Sequence, residues 1–191
     1  MAAVISRDRL DMAAIALHRV LEQNNFDHTF FGGYQLQLMG NIRGTKDVDV
    51  VVKKPMFNGF EKVKQAFADD PEFMVLDGNR TDGIRAIHSP SGAGVDSKRH
   101  SNVLIGILHN SHIVDDNRDP PKGKIGLPDD PNQLPFFPAT HMFIKKIECL
   151  SVQYKESDEA DIIFLFDNFE LDQKKISKNV PASQRPSEMK P

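Results

Sequence analysis

The stretch FFGGYQLQLMGNIRGTKDVDVVV, Phe30 to Val52, constrains the fold of this chain more than any other. His28 to Phe31 reads as a short strand running into Gly32-Gly33, with a short helical stretch from Tyr34 to Met39 behind it. Free backbone N–H groups at such a helix start, together with the helix dipole, favour an anion such as phosphate. Gly40, Asn41 and Gly44 mark a loop, and Asp47 to Lys53 then reads as a valine-rich strand. Residues two apart on a strand share a face, so Asp47 and Asp49 project into one small volume. Two carboxylates held that way repel unless a cation sits between them, and oxygen ligands beside a phosphate site suit magnesium. Taken singly, each half has a plainer use, since a glycine pair can simply make a turn and acids can guard a strand edge.

The elements around this stretch follow from periodicity. Leu10, Ala13, Ala14, Leu17 and Leu21 repeat at helical spacing behind Ser6, and Asn24-Asn25 ends that helix. A second helix carries the apolar stripe Phe57, Phe60, Val63 and Phe67. Phe73–Leu76, Gly83–His88 and Val103–His109 read as strands, and two helices follow, around Phe143 to Leu150 and Ile162 to Phe166. Strands alternate with helices, then run together, then give way to helices, which predicts an α+β sandwich with a single mixed β-sheet. The expected organisation is one domain over residues 1–176, with a long Pro-rich loop over 109–140 and a tail over 177–191 lacking core contacts. The loop takes Pro120, Pro121, Pro128, Pro131, Pro135 and Pro138 out of 12 prolines in the chain.

Composition narrows the function. With 191 residues, 24 Lys and Arg against 27 Asp and Glu and a net charge of −3, the chain lacks the basic excess of a protein that coats extended nucleic acid. No apolar run is long enough to span a bilayer, and a charged N-terminus gives no signal-peptide pattern. A single cysteine, Cys149, excludes an internal disulfide and fits a reducing, cytoplasmic setting, where it is expected to be buried. His109 and His112, with Asp115 and Asp116, read as loop residues rather than a metal site. The oligomeric state is not legible.

Gly32-Gly33 followed by a strand bearing Asp47-Val48-Asp49 resembles the nucleotidyltransferase superfamily with the DNA polymerase beta-type fold. The likeness is to its small branch of toxin, antitoxin and antibiotic-modifying proteins, in which Arg43, Thr45 and Lys46 fill the lead-in to the strand. The later run FIKKIECLSVQYKESDEADIIFL resembles the closing helices of that branch, with Lys146, Asp158 and Asp161 at matching positions. The resemblance implies an enzyme that moves a nucleotidyl group from a magnesium nucleoside triphosphate to a small-molecule or protein hydroxyl. It implies Asp47 and Asp49 as catalytic metal ligands, and Gly32, Gly33, Arg43, Thr45 and Lys146 as nucleotide contacts. The pattern departs at Gly106, which stands where a third carboxylate is expected on the strand Asn102–Leu108. That departure opens an alternative. The fold would have lost its metal chemistry and would bind a partner or an apolar organic ligand, or run acid–base chemistry on it, in a pocket walled by Tyr34, Leu104 and Leu108.

Overall fold

The computed structural model describes residues 5–53, 59–76, 83–90, 102–109, 123–127 and 130–185. Helix α1 (Arg7–Gln23) buries Leu10, Ala13, Ala14, Leu17 and Leu21 along one stripe, as their spacing predicts. It closes tightly. Asn25 takes φ +56°, its N–H donates to Glu22 O at 3.0 Å, and the Phe26 N–H donates to Leu21 O at 2.9 Å. This is a Schellman closure with asparagine in the left-handed position, and it turns the chain straight into the first strand.

The order that follows is β1 (His28–Phe31), α2 (Gly32–Leu38), β2 (Asp47–Val52), α3 (Gly59–Ala68), β3 (Phe73–Leu76), β4 (Gly83–His88), β5 (Val103–His109), β6 (Gly123–Leu127) and β7 (Asp130–Phe136). The described strands form one mixed seven-stranded sheet, β3-β4-β5-β2-β1-β7-β6, with β2 at its centre. β2 runs parallel to β5 and β1 parallel to β7, while the other pairs are antiparallel. One face of the sheet carries Val48, Val50, Val52, Ile105, Ile107, Ile84 and Ala86 into a core with Leu10, Leu17, Val63 and Phe67 from α1 and α3. This is the α+β architecture expected, a single mixed sheet with helices packed on it.

The Pro-rich stretch over 109–140 corrects one expectation, because it is not loop throughout. β6 and β7 pair within it, Gly123 opposite Phe136 and Leu127 opposite Asp130. Pro131 and Pro135 fit β7 because its described pairing to β1 falls on its last residue, Phe136, so most of the strand needs donors toward one side only. Residues 110–122, 128 and 129, with His112, Asp115 and Asp116, lie outside the described residues, as does Phe57.

The chain divides into two compact units, Met1–Phe136 and Phe137–Pro191. The second holds α4 (Ala139–Val152), α5 (Glu156–Asn168), α6 (Gln173–Asn179) and a 3-10 turn at Ala182–Gln184. The boundary expected at 176/177 falls inside α6, and Val180 beyond it is only 2% exposed, so the start of the expected tail is not free of packing. Two apolar residues at helical spacing, Ile176 and Val180, are what the polar composition there conceals. Cys149 is exposed rather than buried. α4 buries Met142, Phe143, Ile144 and Ile147, and a residue two places past Ile147 lies about 200° round the helix. Among the described residues no helix is long and apolar enough to cross a membrane.

Two histidines make stability depend on pH. Burial lowers the pKa of His88, and burial, aided by Lys175 and Lys145, lowers that of His141 to about 4. A folded-state pKa below the unfolded value near 6.5 means that the unfolded chain binds more protons as pH falls through that window. The melting temperature should therefore drop between about pH 7 and about pH 4, and His141→Gln should shrink the drop. Identical pH profiles for wild type and variant would refute this.

Candidate functional site

Valine on alternate positions of β2 fixes which way the acids point. Val48 and Val50 are fully buried, so Asp47 and Asp49 must face the other side of the sheet, because a one-residue slip would exchange the two sets. In register, Asp49 pairs with Gly106 on β5, and Gly106 pairs with Arg85 on β4. Asp49, Gly106 and Arg85 thus form one row across three strands. A neighbouring row runs Asp47, Leu104, Ile87. These rows floor a pocket of about 200 Å³ lined by Asp47, Asp49, Gly83, Arg85, Leu104, Gly106 and Leu108.

Glycines let the acids sit where they do. Gly32 has φ +79°, and a Cβ there would lie 2.8 Å from Asp49 Oδ2. A Cβ on Gly106 would collide with Asp49 Oδ1. The Asp49 carboxylate is therefore held between the turn that opens α2 and the bare backbone of β5. Gly33 plays the same part for the lead-in, since its Cβ would come within 2.8 Å of Thr45 Oγ1 and 3.2 Å of Arg43 Nη2. The buried Thr45 hydroxyl donates to Asp47 Oδ1 at 2.6 Å and orients that acid. Gly32→Ala should cost about 1–2 kcal/mol for the left-handed backbone alone, with more for displacing Asp49. A urea midpoint equal to that of the wild type would contradict this geometry.

Gly32, Gly33, Arg43, Thr45, Asp47 and Asp49 are accordingly brought into one neighbourhood. Lys146 is placed differently, within the second unit. Its ammonium donates to Asp158 Oδ1 at 2.6 Å and lies 2.8 Å from Asp161 Oδ2, with Asp161 fully buried. Burial alone would lower the Lys146 pKa, but the two carboxylates outweigh it and the net shift is upward. Two of its three donors are spent on clamping α4 to α5. Tyr34 is not a pocket wall either: it is fully buried in the core, where its hydroxyl donates to Asp11 Oδ1 at 2.7 Å. Its helical position one turn from Leu38 and beside Leu36 concealed that inward direction.

Arg85 is the pocket residue that sequence reading missed. Its signal was present in the alternation of β4, with Ile84 and Ala86 inward and Arg85 exposed between them. What periodicity cannot supply is the register that sets it in line with Asp49. Chemically, the two acids and the adjacent turn suit one hard cation shared with phosphate oxygens, as magnesium is held by one or two carboxylates plus substrate. Gly106 provides no third ligand.

No family model and no curated protein matches the chain. Solved structures do. An antigenic nucleotidyltransferase-like protein from Paracoccidioides brasiliensis superimposes with a TM-score of 0.63 at 18% identity, over 86% of this chain and 78% of that one. The antibiotic-resistance factor ANT(2'')-Ia, in its solution structure, gives a TM-score of 0.50 at 9% identity, over 82% of this chain and 83% of that one. At such identities the likeness establishes the fold, which is nucleotidyltransferase-like.

Proposed function

We propose that this protein binds a magnesium nucleoside triphosphate and transfers its nucleotidyl group to a hydroxyl of a small molecule or protein. The observation that carries the reading is the contact of the Asp49 carboxylate with the Gly32 turn, which sets a cation-binding acid beside a phosphate-binding backbone. Asp47 and Asp49 would hold the cation, which would supply charge to offset that developing on the α-phosphate. Gly32 and Gly33 present backbone N–H groups to the β- and γ-phosphates, Arg43 adds a guanidinium to the same anion, and Thr45 keeps Asp47 aimed. The acceptor oxygen bonds to the α-phosphorus as the bond from that phosphorus to the bridging α–β oxygen breaks; pyrophosphate leaves, and the hydroxyl proton passes to solvent. Lys146 serves this reading by holding α4 to α5. Pyrophosphate release from each common nucleoside triphosphate with magnesium, across a panel of hydroxyl acceptors, tests it. Release that requires magnesium and an acceptor supports the reading, and no release with any pair counts against it.

A second reading is favoured by Gly106 and Arg85. With no third acid on it among the described residues, the pocket has a carboxylate at one end of a row and a guanidinium at the other, flanked by Leu104 and Leu108. Such a site suits a small organic molecule with an anionic group, with Asp49 as its acid–base residue. Arg85→Ala separates the readings. It abolishes binding of an organic anion and spares magnesium nucleotide.

A further inference from the structure

A second cluster of ligating side chains lies away from the pocket, where α1 turns into β1. His18 and Glu22 stand one helical turn apart on α1, and the Schellman closure at Asn25 brings His28 of β1 back against them. His18 Nδ1 and His28 Nε2 are 2.8 Å apart. His28 Nδ1 lies 2.8 Å from the Phe26 carbonyl and 3.9 Å from a Glu22 carboxylate oxygen. One donor atom from each of the three side chains falls within 4.8 Å of the others.

The tautomers follow from these contacts. A carbonyl only accepts, so His28 Nδ1 carries the proton and Nε2 directs its lone pair at His18. A backbone carbonyl that accepts from the second ring nitrogen, as Phe26 O does from His28 Nδ1, is a usual outer partner of a metal-bound histidine. His28 is almost fully buried whereas Glu22 is 64% exposed, so the cluster joins an enclosed ligand to one reached from solvent. Two imidazole nitrogens on one tetrahedral ion sit about 3.3 Å apart, so a small outward movement of His18 on its helix suffices.

We propose that His18, Glu22 and His28 form a binding site for a divalent transition-metal ion of borderline softness, such as zinc, with water completing the coordination. Two imidazoles and one carboxylate are a donor set for that class and not for magnesium. The bound ion ties the end of α1 to the first strand and stabilises the first unit by mass action. The site is independent of the nucleotide reading.

Zinc chloride titrated calorimetrically into the chelator-treated protein tests this, with cobalt as a spectroscopic substitute for the geometry. The expected result is one saturable zinc ion per chain, a raised melting temperature and a tetrahedral cobalt spectrum. His18→Gln and Glu22→Gln should each weaken zinc by more than about tenfold, the least that even an outer partner contributes. Both residues lie outside the fully buried core, so these variants remain informative if His28→Gln fails to fold. Asp47→Asn with Asp49→Asn should leave zinc affinity unchanged. No saturable zinc binding, or the same affinity in His18→Gln, would overturn the proposal.

Discussion

Lys146→Met is expected to destabilise the protein by about 3–5 kcal/mol, because it strips the cation from two acids that have no ready access to water. Asp161 is fully buried and Asp158 only 10% exposed, so neither carboxylate recovers its hydration when the ammonium is removed. For a chain of this length that corresponds to a fall in melting temperature of about 6–20 °C, measured by circular dichroism. Replacing Lys146, Asp158 and Asp161 together by apolar residues should cost less than the single change, since no unpaired charge is then left buried. The result bears on function. A lysine whose task was to grip nucleotide would leave the melting temperature unchanged and weaken binding, so a shift below about 2 °C would contradict the clamp.

Asp49→Asn is expected to reduce pyrophosphate release by more than about a hundredfold, beyond what an outer partner of a metal site contributes, while the fold survives. Asparagine keeps the shape that fits between Gly32 and Gly106, so the melting temperature should stay close to that of the wild type. It removes the negative oxygen that a hard cation needs. Thr45→Val should act on the same site more weakly, because it frees Asp47 from its 2.6 Å hydrogen bond without removing an acid. Full activity in Asp49→Asn would exclude metal-assisted transfer at this position.

Much of this site was legible because its parts are local. The glycine pair, the alternating valines and the two acids lie within Phe30 to Val52, and each declares its geometry through turn chemistry or a period of two. The features that escaped depend on neighbours distant in sequence. Arg85 gains its meaning from register with Gly106 and Asp49 across β4, β5 and β2. Lys146 reads as a nucleotide contact through the resemblance, and only its pairing with α5 shows where its charge goes. The β6–β7 pairing was concealed because Pro131 and Pro135 read as loop residues, whereas a strand with one principal partner tolerates them. His28 read as the first residue of a strand, and the turn at Asn25 that sets it against His18 is a backbone event.

Crystals soaked with magnesium and a nucleoside triphosphate test the central reading most directly, through the electron density over the Asp47–Asp49 face of β2. The expected density is a cation shared by both carboxylates and phosphate oxygens, with the terminal phosphates against the Gly32-Gly33 backbone. Density for nucleotide elsewhere, or a pocket that stays empty at saturating nucleotide and magnesium, would contradict it.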